Sequence, residues 1–355
     1  METHVRDLAV RQARMASVHV VVANRTFHNE QSTIEGVDVT RVGRLATIAS
    51  MPVCPGLPLA IRRVPADLIH LHAPNPGAAF ALLGNRQAGR LIVTHHSDIL
   101  GRKVLRRCSD PFMRRVMERA AAIIVTSERY LRTSAELAPF RHKCHVIPLG
   151  IELPPYEPDR GVAPRLPTDP ESPMVLAVGR LVPYKGFDIL IRAMKHVNAV
   201  LSLIGTGNEE ERLRRLIESE GLAHKVKMLG WVSDLRPWFH AASIFVLPSV
   251  TRAEAFGLAQ VEAMALGLPI INTNIDSGVP EVSVNGETGL TIEPNDAEAM
   301  AGAINQLLGN NELRRRMGDA ARARARNHYN ADRMAQMTWE LYQRVLGSSE
   351  TGASE

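Results

Sequence analysis

Short apolar runs alternate with helical patterns along the whole chain, and this alternation limits the fold more than any other feature. In the first half the runs are VHVVVAN (18–24), DLIHLH (67–72), RLIVTH (90–95), AAIIVTS (121–127) and CHVIPLG (144–150). In the second they are MVLAVG (174–179), AVLSLIG (199–205), VKMLG (226–230), SIFVLPS (243–249) and PIINTN (269–274). Runs this apolar belong to strands covered on both faces, as in a parallel sheet between helical layers. Alternation with helices predicts βαβ units and a doubly wound α/β fold. Between the halves, GIELPPYEPDRGVAPRLPTDPESP (150–173) holds seven prolines and no periodicity, so it reads as a surface linker. The expectation is two Rossmann-like domains, residues 1–155 and 156–330, followed by a helix and polar tail at 331–355.

Composition narrows the class. A chain of 355 residues with 45% hydrophobic content is long and apolar enough for two packed domains and excludes a disordered protein. The net charge of +5 suits phosphorylated ligands or an anionic membrane surface. Cys54, Cys108 and Cys144 are far apart without metal spacing, which fits a reducing compartment. METHVRDLAVRQARM has no apolar signal core, and no run reaches the roughly 18 apolar residues of a membrane span. The expected location is cytoplasmic, soluble or peripheral at the inner face of the plasma membrane.

The chemistry concentrates in EAFGLAQVEAMALGLP (254–269). On one continuous helix, Glu254 and Glu262 would stand about 80° and about 12 Å apart, too far to share a metal. Gly257 instead opens the helix, leaving Glu254 in the strand–helix loop and Glu262 on the helix. The free amides of Phe256, Gly257 and Leu258 then form an anion site at the positive end of the helix dipole, with room for a close backbone approach at the glycine. The two glutamates can hold hydroxyls on either side of a bound phosphate. The plainer account is a pair of solvated glutamates.

Other strand ends add to this. In VGRLVPYKGFDILIRAM (178–194), Arg180 and Lys185 follow Gly179 and can converge on a diphosphate; they can equally be surface cations. In LIGTGNEEERL (203–213), Gly205 and Gly207 flank a turn before an acidic helix start. In LGWVSDL (229–235), Val232 can lie against a flat base or simply be buried.

Taken together, VGRLVPYKG, IGTGNEEERL, LGWVSD, AEAFGLAQVEAMALGLPI and GVPEVSVNGETGLTI resemble the retaining glycosyltransferases of family 4, with GT-B fold, in family order over residues 65–345. Glu254-x7-Glu262 matches the family's EX7E signature. The resemblance implies a GDP- or UDP-sugar donor held mainly by the second domain, a lipid-linked or glycan acceptor held mainly by the first, retention of configuration, and no cofactor or required metal. By position, Arg180 and Lys185 would neutralise the diphosphate together with the amides near Phe256, Gly257 and Leu258. Glu254 would bind sugar hydroxyls, Glu262 the ribose, and Val232 would lie beside the base, with Gly179 and Gly205 lining the donor site. VTHHSD matches the family's T-x-H stretch and implies that His96 hydrogen-bonds a sugar hydroxyl. His95-His96-x-Asp98 has no further ligands in the sequence, so no metal site is assigned, and a structural histidine is the other account.

A glycosyl transfer agrees with these residues. Cations and a helix N-terminus aimed at a departing diphosphate stabilise charge where it develops. With no carboxylate evidently placed as nucleophile, the preferred mechanism is front-face attack, a donor phosphate oxygen taking the proton. VTHHSDILGRK and EAFGLAQVEAMA look like mannosyl or rhamnosyl members, which implies cell-surface polysaccharide or glycolipid synthesis. GRKVLRRCSDPFMRRVMERAA (101–121) is basic, and Asp110-Pro111 reads as the start of a helix carrying Arg114, Arg115 and Arg119. Residues Arg102–Arg119 can rest on anionic lipid or be a solvated face. No nucleic-acid partner is expected.

One departure stands out. Family members open with a strand and a Gly-Gly-x-Glu loop; here Glu2 matches the glutamate, and neither strand nor glycines precede it. The first strand of a doubly wound sheet is central. The expectation is therefore a first-domain sheet gapped or closed where that strand belongs, from a start-site truncation or with impaired activity. The alternative function is a catalytically impaired sugar-nucleotide-binding protein. A GT-B epimerase or phosphorylase is a further alternative, although no lysine stands in a pyridoxal-binding context.

Overall fold

The computed structural model describes residues 2–48, 51–84, 89–98, 103–153 and 172–347. Most of the proline-rich linker, the polar tail from residue 348, Arg102 and the side chains of Glu2 and of residues 103–109 lie outside the described residues. The chain forms two compact units, residues 1–150 with 331–355, and residues 151–330. The last helix, Ala331–Gly347, thus belongs to the first unit although it follows the second in sequence. Among the described residues, no helix is long and apolar enough to cross a membrane.

The strands of the first unit are β1 (His19–Ala23), β2 (Glu30–Ile34), β3 (Val37–Val42), β4 (Ala46–Ile48), β5 (Met51–Val53), β6 (Leu68–Ala73), β7 (Arg90–His95), β8 (Ala122–Val125) and β9 (Cys144–Val146). They form separate sheets, in the orders β1-β3-β2, β4-β5 and β6-β7-β8-β9. The last is parallel throughout, with β6 and β7 in register from Leu68 opposite Arg90 to Ala73 opposite His95. Successive residues point to opposite faces. On β7, Val93 therefore packs with Met113, Val116 and Tyr130 on one side, while Ile92 packs with Leu8, Met334 and Tyr342 on the other. That second side is covered by the helices Glu2–Gln12 and Ala331–Gly347, tied at their ends by Arg11 and Asp332 at 2.7 Å.

As expected for a gapped sheet, among the described strands none joins β1 to β6. The β2–β3 hairpin, absent from the sequence reading, turns through Glu35 and Gly36, both at positive φ, the geometry of a two-residue hairpin loop. The basic stretch needs a correction: Lys103–Arg119 is one helix with Pro111 inside it, so Asp110 is not its cap. An interior proline forfeits one backbone hydrogen bond, and here the helix continues past it.

The second unit holds one six-stranded sheet: β10 (Met174–Val178), β11 (Val200–Ile204), β12 (Val226–Met228), β13 (Ile244–Leu247), β14 (Ile270–Thr273) and β15 (Gly289–Ile292). The order is β12-β11-β10-β13-β14-β15, all parallel. β15, with the short apolar run GLTI, is an addition to the sequence reading. One face packs Val175, Leu201, Val246 and Ile271 against Leu190, Ile304 and Leu307. Each such aliphatic side chain contributes about 1.5–3 kcal/mol by leaving water. From β10 the chain runs outward through β11 to β12, then returns to β13 and runs the other way. The reversal falls between β10 and β13, where open α/β sheets leave a crevice at their carboxyl ends.

Candidate donor site at the sheet reversal

The loops leaving β10 and β13 meet at this crevice. After β10, Gly179 donates its amide to Ile204 at 3.0 Å, and Pro183–Lys185 form a single 3-10 turn. After β13, the chain passes Ser249 and turns into the helix Leu258–Ala265. The two loops are joined by the Val250 amide donating to the Tyr184 carbonyl at 2.8 Å. They are joined also by side chains: Lys185 Nζ lies 2.5 Å from Glu254 Oε2, and the Ser249 hydroxyl donates to the same oxygen at 3.1 Å. Lys185 and Glu254 are only 8% and 9% exposed. This corrects the reading of Lys185 as a surface cation. An ion pair this buried leaves an uncompensated charge when either partner goes.

Arg180, by contrast, is exposed, its Nη2 3.4 Å from the Tyr184 hydroxyl. It is the cation at this edge with freedom to follow a ligand.

Gly257 begins the helix at φ +76°, and a Cβ there would stand 2.5 Å from Leu247 Cδ2. Both the conformation and the space call for glycine. Among the described residues, the amides of Phe256, Gly257 and Leu258 make no hydrogen bond, so the helix start presents unpartnered donors. The turn is held from behind by a buried polar cluster that the sequence reading missed. Gln260 donates to the carbonyls of Phe256 at 2.9 Å and Val279 at 3.2 Å, and the Asn272 side chain on β14 donates to Gln260 Oε1 at 3.2 Å. Gly205, at φ +143°, sits with its amide on the Gly230 carbonyl at 2.8 Å, and a Cβ there would come within 1.9 Å of the Gly179 carbonyl oxygen. That contact brings the loops after β10, β11 and β12 together.

Glu262, one turn into the helix, is half-buried and makes no hydrogen bond among the described residues. Burial raises its pKa to about 7. Val232 is partly exposed rather than packed in the core, beside Trp231, which is 75% exposed and was not singled out from the sequence.

His96 belongs to the first unit. It follows β7, its amide donating to the Ala73 carbonyl at 3.0 Å, and its ring stacks on His72 with 5.3 Å between centroids. Burial lowers its pKa well below the usual imidazole value. The neighbouring His95 and Asp98 serve a different cluster. Tyr130 donates its hydroxyl to Asp98 at 2.8 Å and lies 2.8 Å from His95 Nδ1, while Ser134 donates to Asp98 at 2.6 Å. That network braces the end of β7 against the helix Glu128–Thr133.

Residues 1–153 match the model described as Glycosyltransferase Family 4, and residues 163–324 the model described as Glycosyl transferases group 1. The chain is 30% identical to O-antigen chain mannosyltransferase C of Escherichia coli over 284 residues, 79% of this chain and 76% of that one. It is 30% identical to D-rhamnosyltransferase WbpZ of Pseudomonas aeruginosa over 271 residues, 75% and 70% of the two chains. Among solved structures, sucrose-phosphate synthase from Thermosynechococcus elongatus superposes with a TM-score of 0.83 at 24% identity, covering 97% of this chain and 93% of that one. That likeness shows the GT-B fold.

Proposed function

The chain belongs to the family 4 glycosyltransferases of GT-B fold, and on that premise we propose that it moves a mannose- or rhamnose-like hexose from a GDP- or UDP-linked donor, with retention at the anomeric carbon, to a lipid-linked or glycan acceptor of cell-surface polysaccharide or glycolipid synthesis. The observation that carries this reading is the buried Lys185–Glu254 pair at the sheet reversal, beside the unpartnered amides of Phe256, Gly257 and Leu258. A donor diphosphate at that edge meets a fixed cation, a helix N-terminus and the mobile charge of Arg180. As the bond to the sugar lengthens, negative charge collects on the departing diphosphate, where these groups stabilise it.

Glu254 is held through one oxygen by Lys185 and Ser249, and its other oxygen binds a sugar hydroxyl. Glu262 takes the ribose diol, and Val232 lies beside the base. With Glu254 committed to Lys185, the acceptor hydroxyl attacks on the face the diphosphate leaves and passes its proton to a diphosphate oxygen. His96 of the first unit hydrogen-bonds a sugar hydroxyl. The diphosphate needs no metal ion in this scheme.

We assign the reaction to the cytoplasmic face of the plasma membrane. Arg114 and Arg115 are exposed on the basic helix, close in sequence to Phe112, whose ring pairs edge-on with exposed Phe80 at 5.6 Å. Cations flanking exposed rings suit an anionic lipid surface. Co-sedimentation with phosphatidylglycerol vesicles checks this contact, and Arg114→Glu with Arg115→Glu abolishes it.

A second reading is a sugar-nucleotide-binding protein with impaired transfer, since the same buried pair and helix N-terminus would hold a diphosphate without turnover. One set of measurements separates the two. GDP or UDP raises the melting temperature under both readings, and only the enzyme moves labelled sugar from the matching donor, with product NMR giving the anomeric configuration. If neither nucleotide shifts melting, the donor-site assignment is wrong.

A further inference from the structure

Three histidines distant in sequence converge in the first unit. His72 is the penultimate residue of β6, and His96 follows β7; the parallel register brings both to the carboxyl end of the sheet. His4, in the first turn of the helix Glu2–Gln12, packs over them nearly edge-on, with ring centroids 5.4 Å from His72 and 5.1 Å from His96. One ring nitrogen from each of the three lies within 4.8 Å of the other two. His72 Nδ1 and His96 Nε2 are 3.1 Å apart, near the roughly 3.3 Å that two nitrogens span on a tetrahedral zinc ion.

His4 carries the argument. It is 7% exposed, and among the described residues neither ring nitrogen has a hydrogen-bond partner. A buried polar side chain without partners is rare in native folds and calls for an explanation. Its neighbours differ: His70 is bonded by Tyr342 and Thr94, and His95 by Tyr130, so those rings are braces with both roles filled locally.

We propose that His4, His72 and His96 form a site for a divalent transition metal of the zinc class, with three imidazole ligands and a fourth position for water. Nitrogen donors without a carboxylate select zinc, cobalt, nickel or copper over magnesium and calcium. The three ligands of this ion all belong to the first unit. The ion fastens the start of the first helix to the ends of β6 and β7. Coordination through one nitrogen of His96 leaves the proton on the other, so the ring keeps a donor.

The test uses the full chain, stripped with EDTA and returned to chelator-free buffer, then titrated with cobalt(II). The expected result is one equivalent bound with the intense visible absorption of a tetrahedral nitrogen site, displaced by zinc, and a higher melting temperature with zinc than without. His4→Ala binds at least about tenfold more weakly, and the cavity left by its buried ring lowers metal-free melting. His4→Gln, closer in size, gives the same loss of affinity where alanine disturbs packing. The weak absorption of aquated cobalt alone, or equal affinity in the native chain and both variants, overturns the site. Neither readout depends on donor or acceptor.

Discussion

Two strands of nearly the same composition behave differently in this molecule. HVVVA of β1 is half-exposed to exposed along its length, and MVLAV of β10 is buried up to its last residue. β10 lies between β11 and β13 with helices over the sheet; among the described strands, β1 is bonded only to β3. Burial is therefore set by how many edges and faces have neighbours, and hydrophobicity only prepares a strand to receive them. The same contrast separates the units: the second offers a continuous sheet whose reversal fixes two loops on each other, and the first gathers its chemistry at the end of a four-stranded fragment.

Mutations can sharpen or break that contrast. The largest effect is expected from Lys185→Ala, which strands Glu254 and costs about 3–5 kcal/mol in urea denaturation. A native midpoint would mean that the buried pair does not hold the reversal together. Leu176→Ala, in the centre of β10, costs about 2–5 kcal/mol by leaving a cavity in a fully enclosed sheet. Arg180→Ala lowers kcat by roughly 10²-fold, about 2.7 kcal/mol, with melting unchanged, because this cation is exposed. Loss of stability there would erase the distinction between it and Lys185.

Glu262 gives a pH test of the second unit. Its folded pKa of about 7 lies above the ordinary 4.5, so the native state holds a proton that the unfolded chain releases. The contribution is fully present below about 4.5 and is lost as pH rises through about 7, a span of up to about 3 kcal/mol. Glu262→Gln flattens this window in stability measured from pH 4 to 8, and Glu262→Ala weakens nucleotide binding by about 1–3 kcal/mol in calorimetry. An unaltered slope in the glutamine variant assigns the dependence to another group. The smallest effect belongs to β1: Val22→Ala, at a position 37% exposed, changes stability by under about 0.5 kcal/mol. A loss like that at Leu176 would show that β1 is enclosed after all.

Much of this was legible in the chain. The ten apolar runs are strands, because a parallel strand's burial is written into consecutive residues. The place of Glu254 in the loop and of Gly257 at the helix start was legible because strand-end turns are written in short local motifs. What escaped was set by distance or by competition. The Lys185–Glu254 pair joins residues that only the β10–β13 neighbourhood brings together. The convergence of His4, His72 and His96 depends on strand register and on a helix packed across it. The β2–β3 hairpin was hidden by the polar run EQSTI, and the helix through Pro111 by a residue that usually marks a start.

The return of Ala331–Gly347 to the first unit has a consequence for biosynthesis. On the ribosome, residues 151–330 form a contiguous piece that can finish folding as soon as it emerges. The unit translated first must wait for the helix Ala331–Gly347, since one face of its parallel sheet is closed by Met334, Tyr342 and Val345. Until those residues leave the exit tunnel, Ile92, Ile124 and Ile147 lack part of their cover on the nascent chain, an exposure of the kind that recruits chaperones. Translation order and folding order are thus inverted, and a stop codon shortly after residue 330 would spare the later unit while leaving the earlier one unfinished.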